Sequence, residues 1–280
     1  LPTSGVKASD CMGKHLRPFK EHGLNIQHRH FRPFALDNFD AEPTSAQMLN
    51  SEGSLIIRIN YEDGNQPTVY DGPLAEHGNY TLEQIFWFWF EKSDPKYDLG
   101  DIKFPAELHL LLYNTNYEDI RESNGVQNYA LMVLTFPFKV VSETDLKFFD
   151  HIAQHLPLVR SSFRYVYLPT DTIPLLAEVL NKNLSQFYSY HGSTCYSMNT
   201  KDVVWFDFIS PIEVGVDFVQ QVEYLEHKGG TPLIKKLVTQ RPPQGIVYKS
   251  FGSRGVSQSR ICVRTLILNI AILVKMWVYM

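Results

Sequence analysis

The sequence predicts a mainly β, β-rich α+β domain, and three observations carry that reading. Residues 80–91 (YTLEQIFWFWFE) contain no Gly or Pro, and residues 85–90 are all aromatic or β-branched, the composition of a strand buried on both faces. A second apolar run, residues 104–114 (FPAELHLLLYN), follows closely enough to pair with it. Helical periodicity is confined to two segments, with no internal repeat and no interdomain linker.

In chain order, residues 1–50 show no sustained period and are expected to form an irregular N-terminal wrap. Within them His28-Arg29-His30 is an H-x-H pair lacking a third ligand at a recognisable spacing, so a solvated basic loop is the reading preferred to a metal site. Residues 53–61 (GSLIIRINY) alternate as a strand and end at the turn residues Glu62-Asp63-Gly64-Asn65-Gln66. In residues 80–91, period two places Gln84, Phe86, Phe88 and Phe90 on one face and Ile85, Trp87 and Trp89 on the other. In residues 104–114 the same alternation groups Glu107, His109 and Leu111. Residues 129–138 (YALMVLTFPF), 203–209 (VVWFDFI) and 245–249 complete the clear strands.

The first helix, residues 144–156, lines up Leu146, Phe149, Ile152 and Leu156. It carries His151 and His155 at the i, i+4 spacing of a helical zinc pair. Ile152 stands where a zincin has its Glu, and no third ligand is evident, which favours an exposed flank. The second helix, residues 217–227, opens on a capping-box-like Asp217–Gln220 pair and is expected to stop at Gly229-Gly230.

Composition narrows the function classes. With 280 residues, 44% hydrophobic and 13% aromatic, the chain can bury a large core, and disorder is excluded. A net charge of −4 gives no electrostatic reason to bind nucleic acid or anionic lipid. Three cysteines, Cys11, Cys195 and Cys262, are too few for a disulfide scaffold. Asn79-Tyr80-Thr81 and Asn183-Leu184-Ser185 fit the glycosylation acceptor pattern, a pattern common by chance in a chain of this length. The chain begins at Leu1 rather than Met, which places any leader outside it.

Residues 1–264 read as one domain and residues 265–280 (TLILNIAILVKMWVYM) as an apolar tail. As a helix the tail would span about 24 Å, short of the ~30 Å hydrocarbon core. Asn269 and Lys275 oppose insertion, whereas Trp277 and Tyr279 suit a membrane interface. Membrane attachment, a lipid-anchor signal after Gly252-Ser253, and a strand-like extension packed on the domain all stay open.

The two central strands resemble those of the α-carbonic anhydrases, which carry Gln-x-His-x-His-Trp followed by Ala-Glu-Leu-His-Leu and hold a catalytic zinc on the three histidines. Gln84, Trp89, Ala106, Glu107, Leu108, His109, Leu110 and Asn114 stand in the pattern, and Phe86 and Phe88 replace the first two zinc histidines. The resemblance extends from about Lys14 to Arg260 and implies a large, mostly antiparallel central sheet with a few peripheral helices. It also covers Cys11-Met12-Gly13-Lys14 with Pro18-Phe19, although Leu16-Arg17 replaces the family's Gln-Ser, and it covers the connection at residues 69–74.

By the resemblance, Gln84 and Glu107 are the groups that orient zinc histidines, and with His109 they are expected to form a small satisfied polar cluster. Cys195 replaces the threonine that orients zinc-bound hydroxide, Tyr196 replaces the second threonine, and Ser197-Met198 replaces Pro-Pro. The proton-shuttle position falls on Leu55, or on Ser54 in the neighbouring register, and the carboxylate behind the threonine falls near Tyr97 or Asp98. Secreted relatives join a cysteine at the Cys11 position to one at the position of Asn199; a Cys11–Cys195 bridge would need a rearranged loop. A Cys195–His109 nucleophilic pair lacks an orienting third group, and an inert cysteine is the default.

Together these departures imply a catalytically inactive relative that serves as a binding or recognition module for an unidentified protein partner, with no zinc expected. The alternative is a carbonic anhydrase with residual or altered zinc-dependent hydration of carbon dioxide. A third reading, a membrane-held adhesion module, depends on the tail. An extracellular or membrane-attached location is expected, with the cytoplasm not excluded.

Overall fold

The computed structural model describes residues 25–51, 54–89, 98–99, 102–103, 106–123, 129–180, 184–192, 203–227, 229–230, 232 and 245–250. Its strands are β1 (Asn25–Arg29), β2 (Phe34–Asp37), β3 (Ser45–Ser51), β4 (Ser54–Asn60), β5 (Thr68–Asp71), β6 (Tyr80–Trp89), β7 (Asp98–Leu99) and β8 (Ile102–Lys103). They continue with β9 (Ala106–Asn114), β10 (Leu131–Val141), β11 (Tyr165–Leu168), β12 (Phe187–Gly192), β13 (Val203–Phe208), β14 (Ile212–Gly215) and β15 (Ile246–Ser250). Among the described residues four short α-helices flank them: α1 (Ile120–Ser123), α2 (Lys147–His155), α3 (Leu176–Leu180) and α4 (Val216–Glu223).

Thirteen strands form one sheet whose spine runs β1-β15-β12-β13-β10-β9-β6-β4-β3-β11, with β14 beside β10, β2 beside β5, and β5 beside β6. The pairings β1·β15, β10·β13 and β10·β14 are parallel and the others antiparallel, so the expected mostly antiparallel sheet is present. The aromatic strand β6 lies in its middle, between β4 and β9.

Alternation sorts side chains into two cores. On one face Ile57, Ile85, Trp87, Leu108, Leu110, Leu134 and Phe206 meet Phe148, Phe149 and Ile152 of α2 and Phe218 and Val222 of α4. Trp87 and Phe148 stack with centroids 6.2 Å apart. On the other face Ile56, Phe86, Leu111, Val133, Tyr190, Trp205 and Val247 form a smaller aromatic cluster. Each fully buried large side chain contributes roughly 1.5–3 kcal/mol, which is why the sheet centre tolerates no charge without a partner.

A bulge sets which residues face which core. The β6–β9 register shifts between Leu82 and Gln84. Before it the even-numbered Tyr80 and Leu82 join the helix-covered core; after it the odd-numbered Ile85 and Trp87 do. Without the extra residue, Phe86 would point at the helices.

Several expectations need correction. The irregular wrap assigned to residues 1–50 holds three strands, of which β3 buries Ala46, Met48 and Asn50 in strict alternation. Ala, Met and Asn are weak strand formers, so the period was masked by propensity. His28 and Arg29 lie in the exposed edge strand β1 rather than in a loop. Strands β11 and β14 and helix α3 carried no clear signal because they are only four or five residues long. Helix α4 ends at Glu223 instead of His227, its N-cap is Gly215, and no side chain caps it, so the Asp217–Gln220 box does not form. Leu225 turns into the core and Glu226 bridges to Pro232, which draws the chain off the helix axis before Gly229-Gly230. In α2 the expected apolar stripe is present, and His155 Nδ1 lies 2.9 Å from the carbonyl oxygen of His151, so the two rings do not converge on one point.

Candidate functional site

Strands β6 and β9 bring the conspicuous residues together. Their register sets Phe86 across from His109, Phe88 across from Glu107, and Gln84 across from Leu111. His109 is 4% exposed and Glu107 2%, and His109 Nε2 lies 2.6 Å from Glu107 Oε2. Two residues apart on one strand face, the pair forms without backbone distortion. Its short contact within a buried apolar surround is where a hydrogen bond carries most weight.

Aromatic rings enclose the imidazole. Phe88 sits 4.8 Å from it, tilted by 44°, and Trp205 meets it edge-on at 5.6 Å. Phe86 is buried, with its ring 6.3 Å from that of Phe88. The volume facing His109 from β6 is therefore phenyl rather than imidazole.

A catalytic zinc needs three protein ligands and an open position for water. Phe86 and Phe88 have no lone pair to give, so of the three positions only His109, oriented through its Nε2 by Glu107, carries a ligating side chain. Among the described residues no three His, Cys, Asp or Glu side chains are grouped closely enough to hold a metal ion. The donor set that the described residues offer on this face does not fit zinc.

Gln84 does not join the pair as expected. It is buried, yet its Oε1 has no hydrogen-bond partner, so the three-residue polar cluster reduces to Glu107 and His109. Cross-strand from Leu111, its amide meets an apolar side chain instead of the carboxylate. Leu55 also needs correction as a shuttle position, because its side chain belongs to the helix-covered core. Its neighbour Ile56 lies opposite Phe86 on the site face, and period two puts Ser54 on that face as well. Ser54 Oγ lies 3.2 Å from Ser51 Oγ. Cys11, Phe90, Glu91, Tyr97, Cys195, Tyr196, Asn199, Cys262 and the tail 265–280 lie outside the described residues.

One feature escaped the sequence reading. Tyr190 Oη donates to Asp207 Oδ2 at 3.0 Å, with both residues buried. Tyr190 stacks in parallel on Trp205, centroids 6.3 Å apart. Cross-strand register lines up His109, Thr135, Asp207 and Tyr188, so a polar row runs from β9 to β12 under the aromatic cluster. The signal was a carboxylate inside the apolar run VVWFDF, which alternation puts on the face of Trp205.

At the far end of β6 the bulge residue Glu83 has its carboxyl pushed above the usual glutamate range, first by burial and then by Asp119, with Arg58 and Arg121 opposing.

Residues 5–250 match the family model of eukaryotic-type carbonic anhydrases. Similar proteins include carbonic anhydrase 1 of Oryctolagus cuniculus, 25% identical over 218 residues that span 76% of this chain and 87% of that protein. Carbonic anhydrase 3 of Rattus norvegicus is 23% identical over 246 residues, 84% of this chain and 87% of that protein. Carbonic anhydrase 6 of Homo sapiens is 23% identical over 182 residues, 62% of this chain and 56% of that protein. With the family model matched from residue 5 to residue 250, and the buried Glu107–His109 pair on the central strands of a thirteen-stranded sheet, the chain belongs to the eukaryotic-type carbonic anhydrase family.

Proposed function

We infer that this family member does not hydrate carbon dioxide through zinc and acts instead as a binding module for a protein partner. The observation that supports the reading is the cross-strand placement of Phe86 against His109 and Phe88 against Glu107. A single imidazole, without two further protein ligands, cannot hold the ion against water and competing chelators. Without the bound ion, no group among the described residues of this face lowers the pKa of a water to make a nucleophile near neutral pH.

The retained Glu107–His109 pair then has a structural role, filling a buried polar niche that the fold provides. A binding role follows from what is left when the chemistry is removed: a rigid sheet scaffold with its loops free to vary. An extracellular or membrane-attached location belongs to the same reading. Similar proteins also include one named as mitochondrial, carbonic anhydrase 5B of Mus musculus, and no helix among the described residues is long and apolar enough to cross a membrane.

The test is a carbon dioxide hydration assay on the purified chain with zinc supplied in excess. The expected rate equals the uncatalysed background. A zinc-dependent rate above it would restore the enzyme reading.

A further inference from the structure

The sheet ends in β11, whose sole strand partner among the described residues is β3. Around this edge Leu158, Phe163, Tyr165 and Tyr167 are exposed by 60%, 62%, 59% and 63%, and Tyr224 by 63%. These are five of the eight large apolar residues that stand exposed among the described ones, a concentration that scatter does not produce. Tyr224 lines a groove with Leu156, Pro157, Arg160, Gln221 and Leu225, immediately beside the edge.

The patch is rigid. Buried Asn50 donates its Nδ2 hydrogens among the carbonyls of Val159, Arg160 and Glu226, at 3.1, 3.0 and 3.1 Å. Its backbone oxygen accepts from Phe163 N at 2.7 Å, and its nitrogen donates to Arg164 O at 3.0 Å. Phe163 is thereby held at φ 62°, a left-handed conformation costly for a side chain of this size, with its ring outward. The Arg160 guanidinium is neutralised by Glu226 at 2.6 Å.

Among the described residues the only strand paired with β11 is β3, which leaves its other side without a paired strand. Asn50 bonds to Arg164, so alternation directs the next inward bonds to Val166, opposite Met48. The N–H and C=O groups of Tyr165 and Tyr167 then point away from β3. The strand lacks the usual protections of such an edge, since no charge, proline or bulge interrupts Tyr165–Leu168.

We propose that β11 pairs antiparallel with the same strand of a second copy, extending the sheet across a two-fold axis at Val166. The occupant is a second copy because Tyr-Val-Tyr reads the same in both directions. A two-fold at Val166 sets Tyr165 opposite the partner subunit's Tyr167, and Tyr167 opposite the partner subunit's Tyr165. Those are the positions whose backbone groups point outward, so each pair closes two hydrogen bonds and brings two rings together on one face. Arg164 falls opposite the partner subunit's Leu168, which keeps the two arginines about 13 Å apart, beyond a Debye length.

The area sets the strength. Four aromatics and one leucine, each about 60% exposed, offer on the order of 500 Å² per copy, short of the ~800 Å² per partner in a stable complex. The dimer is therefore weak and reversible, with a Kd on the order of 10–100 µM. It involves neither His109 nor any metal, so it stands or falls independently of the proposed loss of hydration.

Sedimentation equilibrium of the full chain over roughly 1–300 µM tests it. The expected result is a monomer–dimer equilibrium. The doubly substituted Tyr165→Lys, Tyr167→Lys chain and the Tyr165→Glu, Tyr167→Glu chain are each expected to associate at least about tenfold more weakly. Both should keep the parent circular dichroism, since the replaced side chains are exposed. An equimolar mixture of the two should regain the dimer, because lysine then faces glutamate at both positions. A parent chain that stays monomeric throughout overturns the proposal and leaves the edge to a foreign strand. So does a lysine variant that dimerises as well as the parent, or a mixture that stays monomeric.

Discussion

Replacing Glu107 with leucine removes one half of a buried polar contact on the site face. His109 is 4% exposed, and its Nε2 lies 2.6 Å from Glu107 Oε2. Once the carboxylate is gone, Nε2 faces an apolar side chain in a site that solvent does not reach. A buried polar group left unpaired costs about 1–3 kcal/mol, and the new leucine offsets little of it because the carboxylate already filled the volume. For a chain of 280 residues that is a fall in Tm of roughly 2–6 °C. Urea unfolding followed by the fluorescence of Trp87 and Trp205, both buried, reads the loss directly. Glu107→Gln should lose less, because the amide still offers His109 a hydrogen bond. An unchanged unfolding midpoint for Glu107→Leu would refute the claim that the pair supports the fold.

Three further outcomes are expected. Restoring imidazoles with Phe86→His and Phe88→His should give zinc binding by equilibrium dialysis with little hydration activity, since Cys195 is a poor substitute for a threonine hydroxyl; turnover at an ordinary family rate would show that this position does not matter. Asn50→Ala should cost about 2–3 kcal/mol in urea unfolding by freeing buried carbonyls, and a loss under about 0.5 kcal/mol would mean those bonds are dispensable. Glu83 has a folded-state pKa above its ordinary 4.5, so the parent's stability is greatest below that value and falls as pH rises through the folded pKa. Glu83→Gln should therefore raise Tm at pH 7 and lose that advantage near pH 4; a Tm difference that does not change with pH would contradict it.

How much was legible depended on which physics wrote the signal. The central strands were readable because Phe, Trp, Ile and Leu report burial directly, and the composition of β6 admits no other reading. Phe86 and Phe88 stood out for the same reason: at positions that the resemblance assigns to zinc ligands, neither side chain offers a lone pair. Strand β3 was hidden because its buried positions are Ala46, Met48 and Asn50, and Asn50 is there to bind loop carbonyls more than a hundred residues away.

The bulge at Glu83 left no local mark in the sequence, because it is set by the pairing of β6 with β9. Nor could spacing decide between Leu55 and Ser54, since a shift of one residue reverses the face; only the register of β4 on β6 does. Gln84 was expected beside Glu107 from the face they share. Sharing a face fixes direction but not reach, and the cross-strand partner of Gln84 is Leu111.

The central proposal is that phenyl rings at two of the family's three zinc-ligand positions, Phe86 and Phe88, leave this family member unable to hold zinc. Equilibrium dialysis of the purified full chain against micromolar zinc at neutral pH, with bound metal measured by atomic emission, tests it most directly. The account predicts bound zinc far below one ion per chain and no change when His109 is replaced by Ala. One tightly held ion per chain, lost in His109→Ala, would contradict it.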